Sequence, residues 1–257
     1  MAVRTARNVR SAGIAAVAAA VLAMTATGCG SSDAGSDPKP FAKAGAGTEA
    51  GTEAGGGAKA APDAAALAQL PARMAADGTA IVVGDPKAPN TVQVYEDPRC
   101  PYCKRFEAGG GAALVPLVKD GKIKVEYTIA SFLDANFGGS SSKKAANALR
   151  AAVDAGKFSE FHSALFENQP EEPKDGFTDS FLLKIADTVP GLNSTAFQAA
   201  VRGQTHKDWV KTSEKAFEDS GSQGTPTVLV NGKKITPGDA VYDAVTFTKA
   251  LKELGIG

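Results

Sequence analysis

Two cysteines separated by two residues, Cys100-Pro101-Tyr102-Cys103, follow an apolar run and open a stretch of helical periodicity. No other feature constrains the chain as strongly. Placed after a strand and at a helix start, this is the spacing of a redox dithiol. A disulfide between the two closes a ring of about four residues. In the chain-entropy model so small a ring restrains the unfolded chain by only about 2 kcal/mol, which suits exchange better than bracing. One other cysteine is present, Cys29. Zinc is the rival reading of the pair. It wants four ligands, and the chain offers this pair and two distant histidines, so no metal is expected.

The N-terminus has its own use for Cys29. Arg4, Arg7 and Arg10 precede an uncharged, apolar run from Ile14 to Ala26. That run is too short to span a bilayer, which needs about twenty residues. It has the length of the hydrophobic region of an export signal. It ends in Ala26-Thr27-Gly28-Cys29, which resembles a bacterial lipobox with alanine where leucine is usual. Residues 1–28 therefore read as a lipoprotein-type signal peptide and Cys29 as the lipid attachment site. Residues 29–78 read as a flexible tether. Gly, Ala, Ser, Thr and charged residues dominate, and Phe41 is the one large apolar residue before Leu67. Such a segment cannot bury enough surface to offset its ordering entropy. Forty Gly-rich residues would reach roughly 35 Å r.m.s.. A weak helix over Ala64–Ala76 is expected to lead into the domain.

Residues 79–257 suffice for one domain with a sizeable core. Formal net charge is zero, and no basic cluster combines with exposed aromatics, so nucleic acid is not an expected partner. Ala80–Val83 and the alternating Thr91–Tyr95 read as strands. Cys103–Val118 reads as a helix broken or kinked at Gly109-Gly110-Gly111 and Pro116. Ile123–Phe132 is the next strand. Four or five helices follow, in an insert over about 138–221. Thr227–Val230 then pairs back through Asn231-Gly232, a strong hairpin signal. Asp239–Leu254 reads as one final amphipathic helix. The order is βαβ, helical insert, ββα, and with the Cys100–Cys103 dithiol after a core strand it resembles an α/β thioredoxin fold with a helical insertion between its halves.

That order, with Cys-Pro-Tyr-Cys after a core strand and Gly224-Thr225-Pro226-Thr227 before the last hairpin, resembles the DsbA-type exported thiol–disulfide oxidoreductases, in their Gram-positive lipoprotein form. The resemblance implies catalytic roles for Cys100, Cys103, Thr225 and Pro226. Cys100 would attack, because unpaired N–H groups at a helix N-terminus stabilise its thiolate. Cys103 would be its buried partner. Pro226 would be cis, and the backbone of Thr225 would pair with an extended substrate. Pro101 and Tyr102 would tune the potential. Tyr102 stands where the family's strongest oxidants carry histidine, which implies a milder oxidant. The redox-active disulfide Cys100–Cys103 would be the only prosthetic element, with no cofactor. The implied partners are unfolded or cysteine-containing exported proteins, a membrane redox protein, and the outer face of the cell membrane through the lipid on Cys29. A monomer is expected.

Other residues admit two readings. Either Glu96 or Asp97 could relay a proton to Cys103, with Asp97 preferred, or be a solvated loop acid. Lys104 and Arg105 either stabilise the thiolate or form a solvated first turn. His162, in a phenylalanine-rich stripe, reads as a core histidine, and His206 as a surface one. Trp209 reads as core. Two other functions stay open: a reductase on the same fold, and a peptide-binding or chaperone module.

Overall fold

A computed structural model describes residues 57–257, except 237. The expected signal peptide, most of the tether, and Cys29 lie outside the described residues.

Six strands form one sheet in the order β1-β2-β4-β3-β5-β6. They are β1 (Ala72–Met74), β2 (Ile81–Val83), β3 (Asn90–Glu96), β4 (Ile123–Ile129), β5 (Thr227–Val230) and β6 (Lys233–Lys234). β3 and β4 run parallel, with Asn90 opposite Ile123 and Glu96 opposite Ile129. β5 lies antiparallel on the other side of β3. Alternation along β3 buries Val92 and Val94 completely, as the period of two requires. The β5–β6 turn places Asn231 and Gly232 at φ 49° and 76°, the double positive φ of a two-residue hairpin. β6 forms one edge of the sheet, and both its lysines are exposed.

The expected tether ends earlier than residue 78. Ala61, Leu67 and Leu70 are buried in the main core. The helix expected over 64–76 is a single turn, α1 (Ala64–Leu67), followed after Pro71 by strand β1, which pairs antiparallel with β2. Lys59 exchanges hydrogen bonds with Asn168, N–H to Oδ1 at 2.7 Å and Nδ2 to the carbonyl at 2.7 Å. These few apolar side chains and paired amides order a segment whose composition reads as flexible.

The dithiol helix does not break. α2 (Pro101–Phe106) runs through a π-helical turn (Glu107–Gly111) into α3 (Ala112–Lys119). The three glycines permit this turn to press against the C-terminal segment. A Cβ on Gly109 would lie 2.3 Å from the Tyr242 carbonyl oxygen, and one on Gly110 2.3 Å from that of Val241. β4 ends at Ile129, short of Phe132, and Leu133–Phe137 forms a short helix, α4. The insert continues with α5 (Ser141–Asp154), α6 (Phe158–Glu167), α7 (Asp179–Ala186), α8 (Thr195–Gly203) and α9 (Lys207–Asp219). Buried alanines at 145, 146, 148, 151 and 152 let neighbouring helices approach α5 closely. The final helix is divided. Gly238–Tyr242 is 3₁₀, and α10 (Ala244–Glu253) starts at Asp243, whose Oδ1 accepts from the Thr246 N–H at 2.8 Å. An aspartate N-cap takes extended backbone and so ends one helix before starting the next.

Candidate active site

β3 ends at Glu96, and a turn through Asp97-Pro98-Arg99 delivers the chain to Cys100. Cys100 is the N-cap of α2, with extended backbone at φ −70°, ψ 119°, and Pro101 occupies the first helical position. Proline suits that position because its missing N–H would have no partner there. Three residues the sequence reading did not single out hold this turn. Gln169 donates from Nε2 to the Pro98 and Cys100 carbonyls at 2.8 and 2.9 Å. Arg99, buried, donates to Asp134 Oδ1 (3.0 Å), to the Gly138 carbonyl (2.8 Å) and to the Pro173 carbonyl (2.8 Å). No local pattern marks these residues, since their partners lie 35 to 74 residues away in the sequence.

Cys100 and the expected proline loop come together. The Cys100 thiol donates to the Thr225 carbonyl at 3.2 Å, and Thr225-Pro226 is cis. Cys100 keeps 6% of its surface exposed and Cys103 none. The two sulfurs face opposite electrostatics. The Cys103 thiol, the Thr225 side chain, and the backbone N–H groups of Cys103 and Tyr102 all favour the thiolate at Cys100. Against the cost of burial they lower its pKa to about 6. The neighbouring thiol contributes most, followed by the Thr225 side chain and then the N–H groups at the helix N-terminus. Burial, followed by the proximity of Cys100, pushes Cys103 well above the usual thiol range. One cysteine is a reactive anion near neutral pH, the other a buried thiol. Pro101 and Tyr102 are exposed. The Tyr102 ring lies 6.0 Å from that of Tyr242, over which Arg105 sits at 4.9 Å. Lys104 reaches the Glu167 carbonyl at 3.3 Å. Neither basic side chain contributes to the lowering at Cys100.

The expectation for Asp97 needs correction. Its carboxylate is occupied by donors from the surrounding loops: the Arg99 N–H (3.0 Å), the Leu133 N–H (3.1 Å) and the Ser142 hydroxyl (2.6 Å). Burial still raises it to about 7, but it is the Asp97 backbone, not the carboxylate, that faces Cys103. The acid coupled electrostatically to Cys103 is Glu96. Glu96 is fully buried, and burial raises its pKa well above the usual carboxylate range. The expected core histidine is there too. His162 lies among Tyr127, Phe158 and Phe166. Its Nε2 is 2.5 Å from Glu96 Oε1, and its Nδ1 is 3.8 Å from Glu107 Oε2. Burial lowers the His162 pKa and raises Glu107 to about 8. His206 is partly exposed beside Asp154, and Trp209 packs at the rim of the core, as expected for both.

A family model described as Thioredoxin matches residues 76–252. Disulfide bond formation protein D of Bacillus subtilis is 29% identical over 175 residues, covering 66% of this chain and 77% of that protein. Among solved structures, oxidised BdbD from Bacillus subtilis superposes with a TM-score of 0.59 at 23% identity, over 72% of this chain and 96% of that one. The reduced disulfide bond oxidoreductase DsbG of Mycobacterium tuberculosis gives 0.57 at 26% identity, over 70% and 90%. A dithiol at a helix mouth, a cis proline loop against it and a helical insert closing over both are arranged here on the fold of those proteins, and the chain belongs to the thioredoxin family as a DsbA-type thiol–disulfide oxidoreductase.

Proposed function

We propose that this protein donates disulfides to exported proteins outside the cytoplasmic membrane, anchored there by a lipid on Cys29. The observation that carries the reading is the asymmetry of the two sulfurs. Cys100 has a pKa lowered to about 6, while Cys103 is held well above the usual thiol range. A stabilised thiolate favours the reduced dithiol, and that makes the disulfide a ready donor. In the donating direction a substrate thiolate attacks Cys100 Sγ, and the Cys100–Cys103 bond breaks. Cys103 leaves with the electron pair and takes up a proton. A second substrate thiolate then attacks the substrate sulfur of the mixed disulfide, and Cys100 leaves as thiolate. The substrate is oxidised by two electrons and the protein reduced by two. A membrane redox partner reoxidises the dithiol. In the reverse direction Cys103 resolves the mixed disulfide. Thr225 and Pro226 position the extended substrate beside Cys100, and Pro101 and Tyr102 set the potential. The protein acts as a monomer on unfolded, cysteine-containing chains.

Export behind a signal would put the dithiol where disulfides persist. The test is oxidative refolding of a reduced secreted protein by the oxidised enzyme. Cys100→Ser abolishes it, and undiminished activity refutes the mechanism. A measured potential below about −250 mV, in the thioredoxin range, would reassign the direction to reduction.

A further inference from the structure

Below the dithiol, three ligand-bearing side chains converge from three separate elements: Glu96 from the end of β3, Glu107 from the π turn and His162 from α6. One ligand atom from each lies within 4.8 Å of the other two. Their hydrogen bonding is incomplete. Glu96 Oε2 and Glu107 Oε1 are buried and find no donor apart from a proton that the two carboxyls can share with each other. Among the described residues, neither carboxylate has an arginine or lysine ion pair; each faces only His162 in that way. Two buried carboxyls facing each other are costly to ionise unless a cation takes the place of the shared proton.

The histidine shows where the missing partner belongs. With a proton on Nε2 shared with Glu96 Oε1 at 2.5 Å, Nδ1 presents a bare lone pair. That lone pair faces Glu107 Oε2 at 3.8 Å. Two acceptors at this distance are too far apart for a hydrogen bond. They stand at the separation of two ligands on one ion, each about 2.0–2.2 Å from it. A histidine that ligates through one nitrogen and gives its other N–H to a carboxylate is the usual arrangement around protein-bound metals. Glu107 and His162 also line a cavity of ≈ 190 Å³ with Lys104, Glu167 and Asp63 among its polar walls. The cavity gives an ion a way in and leaves room for water ligands.

We infer that His162, Glu107 and Glu96 form a binding site for a divalent transition-metal ion, distinct from the dithiol. One imidazole and one carboxylate as direct ligands, a second carboxylate behind the ring, and no sulfur suit Zn²⁺ or its borderline neighbours better than a soft, thiolate-seeking ion. Glu107 and His162 Nδ1 are the first ligands, and Glu96 orients the ring. An ion held there joins the insert to the active-site helix and the central strand, so its binding raises the unfolding temperature.

The probe is Zn²⁺, titrated into the full protein with the Cys100–Cys103 disulfide formed, so that thiols do not compete. One equivalent binds, and melting shifts upward. Glu107→Gln and His162→Gln each weaken binding at least tenfold, while His206→Gln leaves it unchanged. Co²⁺ at the same site gives visible bands without thiolate charge transfer. Circular dichroism confirms that each variant is folded. If His162→Gln does not fold, Glu107→Gln and the wild-type melting shift decide. Failure to retain one equivalent of Zn²⁺, equal affinity in Glu107→Gln, or loss of binding in His206→Gln overturns the proposal. Each is read without reference to redox activity.

Discussion

Glu96 and Asp97 are neighbours, both fully buried, at the point where the central strand gives way to the dithiol turn. Adjacent residues there point to opposite sides, and the two sides are built differently. Asp97 meets three donors and ties together the dithiol turn, the Leu133 turn and the start of α5. Glu96 meets one imidazole and the Glu107 carboxyl, itself an acceptor. A buried acid saturated by donors is a brace. One left short has capacity for a proton or an ion. Chemistry and scaffolding thus sit back to back within one dipeptide.

The sharpest way to break this contrast is to remove each acid. Asp97→Ala orphans two buried N–H groups and a hydroxyl, each worth about 1–3 kcal/mol. Urea unfolding should show a loss of about 3–5 kcal/mol. A loss under about 1 kcal/mol would mean the brace is dispensable. On the other side, Gly110→Ala drives a methyl into the Val241 carbonyl and displaces the π turn that presents Glu107. Overpacking of this kind costs about 1–3 kcal/mol.

The dithiol adds a pH dependence on the same scale. The Cys100 pKa falls from 9.0 to about 6 in the folded, reduced protein. The stabilisation from this thiolate is complete above about pH 9 and is lost as pH falls through about 6. The stability gap between reduced wild type and Cys100→Ser should therefore narrow from pH 8 to pH 5, and thiolate absorbance at 240 nm should titrate near pH 6. A gap that does not change with pH would sever the dithiol from its helix mouth. Glu96→Gln is a near-isostere of an acid whose pKa burial raises well above the usual carboxylate range, and should alter stability by less than about 1 kcal/mol. If it matches Asp97→Ala, the comparison fails. Tyr102→Ala, at an exposed ring, should lie within about 0.5 kcal/mol of wild type in stability and act only on redox behaviour.

The fold was legible where local rules and packing agree. Period-two burial marked β3, Asn231-Gly232 marked its hairpin, and the spacing of Cys100 and Cys103 marked the helix start. Thr225-Pro226 was legible only in combination with them. The rest depends on distant partners. Gly109-Gly110-Gly111 reads as a break until the backbone of Val241 and Tyr242 is seen against it. Ala72–Met74 has no strand signature and becomes one through β2. Choosing between Asp97 and Glu96 required knowing which side of the strand end faces His162, 66 residues away. Charge and spacing identify buried acids, but only packing says what each is for.

The open edge at β6 bears on the proposed function, in which extended, unpaired chains meet the protein. Such chains seek free strand edges to lengthen a sheet. Here the last rung is two residues long, and both are exposed lysines. Short, positively charged borders discourage strand addition. On the proposed function, extended substrates would be steered away from this rim.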